Sequence, residues 1–262
     1  MPICVYCARH NAALHTTLGS GHVVLVRCVC GNTADPYLEY GPTAVFLDFV
    51  LAKPRAYRHV LFNSSHRHTI PAASISEPEA TITELIWTHS RRVLAVLLVE
   101  SYLTWFYVCV QKQSCSAALP RATLLPSTIL GPVRVFLTTL VDILAQHTAV
   151  AATCFVAAGI PPLLSSMALL FSRVSTLLLC ILLLVWDSEL PLERRTRGSI
   201  PLPLGVLMLD AAWIVRVLMG GMSAGVALGV VLTGRPAAAA AAVLAASLIH
   251  LGVSTMAGLH DA

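Results

Sequence analysis

From Leu137 to Trp186 the chain is predominantly apolar, and only Pro161-Pro162 divides the stretch. Crossing a hydrocarbon layer roughly 30 Å thick takes about 20 apolar residues in a helix, so Leu137–Ile160 and Leu163–Trp186 are each long enough to span a bilayer. A two-proline link leaves room only for a tight hairpin between antiparallel helices. Similar runs occur at Val93–Val110, Leu204–Leu232 and Ala237–Ala257, which predicts about five spans. The fourth run would be about 44 Å long at ~1.5 Å per residue. It must therefore tilt, break near Gly220-Gly221, or form two short pieces. With 56% hydrophobic and 11% charged residues, against about 25% charged in a soluble domain, the chain cannot cover its own surface with polar groups. It belongs in a membrane.

Ahead of the first run stand two cysteine pairs, Cys4/Cys7 and Cys28/Cys30. Thiolates bind Zn²⁺ tetrahedrally, and two such pairs close a structural site. Cys4-x-x-Cys7 is a standard half-site. Cys28-Val29-Cys30 has one intervening residue, so His10, His15 or His22 is an alternative donor for one position. The competing reading is a disulfide or two free thiol pairs. The start, Met1-Pro2-Ile3-Cys4, lacks the charged-then-apolar pattern of a cleavable signal, and the first long apolar run begins near Val93. The amino-terminal module is therefore expected in the cytosol, where thiols stay reduced and pairs favour metal. Arg91-Arg92 before the first span supports that orientation; Lys112, Arg121 and Arg134, and the later Arg194, Arg195 and Arg197, satisfy the same rule less well. Cys109, Cys115, Cys154 and Cys180 lack paired spacing and read as apolar side chains or lipidation sites. The net charge of +4 is spread along the chain, and 8 of its 17 cationic residues lie in residues 1–92 beside six carboxylates. No nucleic-acid footprint follows.

The fold class expected is mainly α: a small N-terminal zinc-ribbon-like module followed by a multi-span transmembrane helical bundle. His22–Val29 has the weak alternation of a strand leading into the second cysteine pair. Apolar spacing suits two short helices at Thr43–Leu51 and Tyr57–Phe62, separated at Lys53-Pro54, which can lie at the membrane interface. Residues 64–84 carry Ser64, Ser65, Pro71 and Pro78 and read as a linker. The division is 1–63 for the module, 64–92 for the connecting stretch and 93–262 for the membrane domain.

Glu100, Asp142, His147, Arg173, Asp210 and Arg216 fall inside the apolar runs, where a central charge costs about 2.5–3.5 kcal/mol on insertion scales. Mirrored about the Pro161-Pro162 turn, Arg173 faces position 150, and Asp142 lies about 12 Å further along its helix. Glu100 is the better-matched partner for Arg173. Asp210 and Arg216 are separated by roughly 240° around a helix and need different neighbours. Such residues either hold the bundle together by buried pairing or line a polar path for lipid headgroups. Gly221, Gly225 and Gly229 form a small-residue stripe suited to close helix approach, and so to self-association.

The motif Asp35-Pro36-Tyr37-Leu38-Glu39-Tyr40, followed by Arg55-Ala56-Tyr57-Arg58-His59-Val60-Leu61-Phe62-Asn63 and preceded by the cysteine pairs, resembles the Arv family of endoplasmic-reticulum proteins required for sterol and lipid homeostasis. Pro36, Gly41 and the short Cys28-Val29-Cys30 pair depart from the family pattern. Weaker echoes are Val99–Trp105, Val185-Trp186 and Ile214–Val217. The resemblance implies that residues 1–63 form the family's homology domain. It further implies a non-enzymatic, multi-pass endoplasmic-reticulum protein whose partners are membrane lipids: sterols, with effects on sphingolipids and glycosylphosphatidylinositol precursors. Tyr57, Arg58 and His59 either meet a lipid headgroup, guanidinium pairing bidentately with phosphate, or serve packing, with Asp35 and Glu39 pairing to Arg55 or Arg58. The alternatives are a zinc-module adaptor holding a lipid enzyme or transporter, and a membrane-embedded lipid-modifying enzyme such as an acyltransferase. For the enzyme, no Ser or Cys has a convincing base at motif spacing.

Overall fold

The computed structural model describes residues 2–17, 23–64, 82–106, 127–188, 200–201, 208–209 and 215–256. The module begins with a two-stranded antiparallel sheet, β1 (His15–Thr17) and β2 (Val23–Leu25), with Thr16 opposite Val24. Single bridges Ile3↔His10 and Arg27↔Thr33 close the loops that carry the cysteines. A 3-10 turn follows at Pro36–Leu38, capped by the Asp35 carboxylate accepting from Tyr37 N–H at 3.1 Å.

Two short helices come next, α1 (Pro42–Val50) and α2 (Pro54–Arg58). Each opens on a proline, whose fixed φ suits the first turn and whose missing N–H has no helical partner there anyway. For that reason the second helix starts at Pro54 rather than at the expected Tyr57. It runs on as one wide π turn, His59–Asn63. The link between α1 and α2 is held by Asp48, which accepts from Lys53 at 2.6 Å, pairs with Arg55 at 3.2 Å and accepts from the Tyr37 hydroxyl at 2.6 Å.

The bundle comprises α3 (Ile82–Trp105), α4 (Ser127–Ala158), α5 (Pro162–Ser188), α6 (Gly220–Val231) and α7 (Pro236–Met256). α4 packs on α3, α5 and α7, and α5 on α3 and α6. Gly159, at φ +67°, takes the left-handed conformation that ends α4 before Pro161-Pro162. Gly234, at φ +80°, does the same between α6 and α7. The Arg235 guanidinium donates to the Ala157 carbonyl and ties the two turns together.

Three helices carry stretches long and apolar enough to cross a membrane among the described residues, Gly131–Ala158, Pro162–Leu183 and Pro236–Val253, where the sequence suggested five spans. The first expected span, Val93–Val110, runs past the described residues at 107–110. Its helix begins at Ile82, inside the stretch expected to be linker, since no proline or glycine interrupts Ile82–Arg92. The fourth run is not one helix. Met208–Leu209 (β4) pairs with Ile200–Pro201 (β3), and a π turn at Val215–Met219 becomes regular helix at Gly220. Its apolar helical part, Val217–Val231, is about 23 Å long and too short to cross alone.

The module and the bundle share one core. Tyr37, Phe49 and Tyr57 are buried in the same cluster as Val150, Cys154, Leu169, Ala227 and Leu228. Ser223 donates to the Ser172 carbonyl at 3.0 Å, so the Tyr57 hydroxyl, 2.7 Å from Ser223 Oγ, is the donor in that pair. Ser175 Oγ donates to the Phe49 carbonyl at 3.0 Å, and the Phe49 ring meets Phe171 edge-on at 6.0 Å. Cys154 and Cys180 are buried free thiols; Cys109 and Cys115 lie outside the described residues.

Tyr57→Phe deletes one hydrogen bond and should cost about 1 kcal/mol. Tyr57→Ala also opens a cavity and should cost about 3–5 kcal/mol. Thermal unfolding of the purified protein in detergent measures both, and equal effects would show that the Tyr57 ring does not anchor the module to the bundle.

Candidate metal centre and buried polar network

The four amino-terminal cysteines converge. Their sulfurs all lie within 4.8 Å of one another, with Cys4 to Cys30 at 3.8 Å and Cys7 to Cys28 at 3.6 Å. Four sulfurs placed ~2.3 Å from a central ion at tetrahedral angles would stand about 3.8 Å apart. A disulfide requires ~2.05 Å, and all four thiols are free. The set can therefore hold a metal ion. The short Cys28-Val29-Cys30 pair fits because its loop is built like the first. In each, the residue after the second cysteine has a left-handed backbone, Ala8 at φ 61° and Gly31 at φ 87°, and an antiparallel bridge pins the flanks. His10 and His15 are not in the cluster, and His22 lies outside the described residues.

The environments of the thiols differ. Burial pushes Cys4 up to about 12, against hydrogen bonds from the backbone of Cys7 and Tyr6. The hydrogen bond from the backbone of Asn32 draws the exposed Cys30 down to about 7. Since thiolates are the ligands, a metal must displace protons, above all from Cys4, and affinity falls as pH falls.

Behind this centre is a buried clamp. Asp35, with 0% exposure, accepts from His59 Nδ1 and Asn63 Nδ2, both at 2.7 Å on Oδ2. Asn63 also accepts from Ile3 N–H at 2.9 Å and donates to Ile3 O at 2.8 Å. Arg58 donates to the carbonyls of Val5 and Tyr6 at 2.8 and 3.1 Å. The Tyr57-Arg58-His59 motif thus points three ways: Tyr57 to the bundle, Arg58 to the first cysteine loop and His59 to Asp35. In this arrangement Asp35 pairs with His59 rather than with Arg55 or Arg58. The Asn63 and Ile3 contacts were not legible in sequence, because 60 residues separate the partners.

Within the bundle a hydrogen-bonded chain crosses four helices. Arg173 (α5) donates to both oxygens of Glu100 (α3) at 2.8 and 2.7 Å and to Gln146 (α4) at 2.6 Å. Gln146 donates to Asp142 at 2.7 Å, and Asp142 meets His250 (α7) at 2.8 Å. Among the described residues, the hydrogen-bonded path from Asp142 to Arg173 thus runs through Gln146. Nearer the Pro161-Pro162 turn, the Ser166 hydroxyl lies between His147 Nδ1 at 2.6 Å and His89 Nε2 at 2.9 Å. Sequence reading missed Gln146, His250 and this Ser166 pairing: the links of Arg173 to Gln146, Asp142 to His250 and Ser166 to the two histidines join residues on different helices, and only Gln146 to Asp142, four residues apart on α4, follows helical spacing. Asp210 and the Arg216 side chain lie outside the described residues. Gly221, Gly225 and Gly229 line a face of α6 where an added Cβ would meet nothing within 4 Å among the described residues.

A four-thiol module clamped to a bundle of apolar helices defines a membrane protein with a metal-competent head. The chain belongs to the Arv1-like family, whose model matches residues 3–199. It is 36% identical over 107 residues to Protein arv1 homolog of Dictyostelium discoideum (39% of this chain, 38% of that protein). It is 37% identical over 67 residues to Protein ARV1 of Saccharomyces cerevisiae (25% and 21%) and 28% identical over 112 residues to Protein ARV1 of Mus musculus (42% and 35%). The aligned stretches thus span 21–38% of these relatives' own lengths. No solved structure matches the chain.

Elemental analysis of the purified protein should find one zinc ion per chain, and Cys28→Ser should release it. A metal-free wild-type module that keeps its protease resistance would exclude a structural role for the ion. In the bundle, Glu100→Gln or Arg173→Gln strands a charge and should cost up to about 3–5 kcal/mol. The double variant should cost less than the sum; simple additivity in a double-mutant comparison would show that the pair is not coupled.

Proposed function

We propose that this chain is a non-enzymatic endoplasmic-reticulum membrane protein that mediates lipid homeostasis. In this reading it acts in intracellular sterol transport and distribution and affects sphingolipid metabolism and glycosylphosphatidylinositol-precursor handling. Its module faces the cytosol and is folded around one Zn²⁺ held by Cys4, Cys7, Cys28 and Cys30. The observation that carries this reading is membership of the Arv1-like family across residues 3–199, joined to what the resemblance of the Asp35–Asn63 motif implies.

The physical arrangement supports it. A helix surface facing acyl chains needs no buried charge, yet Glu100, Arg173, Gln146, Asp142 and His250 form one connected polar chain through the apolar layer. Intramembrane ionisable groups of this kind are costly and mark polar pathways. A headgroup moving along the bundle exchanges its hydration for these donors and acceptors while its acyl chains stay outside. The open glycine face of α6 suits a second copy of the chain.

One specific observation favours the enzymatic alternative, namely Ser166 with an imidazole nitrogen 2.6 Å away. Activated nucleophiles use such a contact. In those sites, however, a third group orients the base, and His147 Nε2 has no hydrogen-bond partner among the described residues. The adaptor alternative assigns no chemistry to either group.

Reconstitution of the full chain in vesicles holding labelled sterol and phospholipid separates the three. Movement of unmodified lipid, at least halved in Arg173→Gln, is the expected result. A new lipid product that disappears in Ser166→Ala would establish an enzyme, and neither movement nor product would leave the adaptor.

A further inference from the structure

The hairpin formed by α1 and α2 touches the bundle at an unexpected depth. The apolar stretch of α5 runs from Pro162 through Leu183 and on to Trp186. At ~1.5 Å per residue it is about 37 Å long, against a hydrocarbon thickness of ~30 Å, so it can slide along the membrane normal by about 7 Å at most. Ser175, which donates to the Phe49 carbonyl of α1, lies about 20 Å from the Pro162 end and about 16 Å from the Trp186 end. Phe171, which packs on the Phe49 ring, and Ser172, bonded through Ser223 to Tyr57 of α2, are on the same level. α1 therefore meets α5 directly, and α2 through Ser223 of α6, well inside the apolar stretch.

The outer face of α1 has the matching chemistry. Phe49 and Val45 face the core, while Phe46, Leu47 and Leu51 are 46%, 56% and 65% exposed. Farther along α5 the exposed residues Ile181, Leu182 and Val185 are also apolar, so both elements expose surfaces of one kind. Water would make these exposed apolar groups costly; acyl chains would not. Of the charges at the hairpin, Asp48 pairs with Lys53 and Arg55 and Arg58 donates to the carbonyls of Val5 and Tyr6, while the long Lys53 and Arg55 side chains can carry their heads toward the interface.

We propose that the α1–α2 hairpin is inserted in the hydrocarbon layer beside α5, with Phe46, Leu47 and Leu51 in contact with lipid acyl chains, rather than lying on the membrane surface. This inference rests only on the membrane placement of α5, and not on which lipid the protein handles.

The test uses the full chain in phosphatidylcholine vesicles, carrying Phe46→Trp, Leu47→Trp or Leu51→Trp. The emission of the parent protein, which has four tryptophans, is subtracted. These positions are exposed, so the substitutions leave the core intact. Bromines placed midway along the acyl chains should quench the added emission of at least two variants by more than half, while aqueous iodide leaves it unchanged. Quenching by iodide without quenching by bromine would put the hairpin in water and overturn the proposal. Protection from both agents would also overturn it, by placing protein rather than lipid over this face.

Discussion

The Asp35 carboxylate organises the amino-terminal module of the protein. A carboxylate with no exposed surface is strongly unfavourable unless donors replace its hydration, and here three donors come from two elements. Tyr37 N–H belongs to the adjacent 3-10 turn, whereas His59 and Asn63 belong to the returning arm of the hairpin. His59 and Asn63 sit one turn apart on the same helical face, which lets both reach one oxygen. Because Asn63 also holds both backbone polar groups of Ile3, the residue before Cys4 is fixed by the same constellation. The first cysteine loop is thus positioned from behind, with Arg58 on its carbonyls as a second support.

The clamp continues into the membrane domain through Tyr57. Its neighbours Arg58 and His59 point into the module, while its own hydroxyl reaches Ser223, which in turn donates to Ser172. Serine and alanine at these contacts allow close approach of α2, α5 and α6. Next to Ser172 on α5, Arg173 is compensated by Glu100 of α3 and Gln146 of α4. A single uncompensated charge at that depth would be costly, so α3, α4 and α5 have strong reason to keep their mutual register. Asp142 and His250 extend the same demand to α7.

Much of this organisation was legible in the residues. The cysteine spacing located the thiol cluster, the apolar runs located α4, α5 and α7, and Pro161-Pro162 located the turn between the first two. Helix-depth counting selected Glu100 over Asp142 as the neighbour of Arg173, and the structure has that contact. The length of the Leu204–Leu232 run already called for a tilt, a break near Gly220-Gly221 or two short pieces, and regular helix does begin at Gly220. The strand at Met208–Leu209 was not foreseen, because composition reports what a segment can bury in but not the hydrogen-bonding pattern its backbone adopts. The stretch before Val93 was read as linker from its polarity, yet α3 already runs there, with His89 contacting Ser166 and Arg92 stacked over Phe171.

The sequence by itself determined that this chain is a membrane protein with a four-cysteine head, since total apolar content and short-range thiol spacing are properties of composition and local geometry. Only the tertiary structure decided how the parts meet. Asp35 chose His59 and Asn63, Gln146 became the link between two charged pairs, Ser166 came to lie between two imidazoles, and α1 reached the level of Ser175. Apart from the Gln146–Asp142 arm within α4, each of these joins residues far apart in the chain, and a partner for a buried polar group there is selected by the distance and direction that packing imposes, which no one-dimensional pattern encodes.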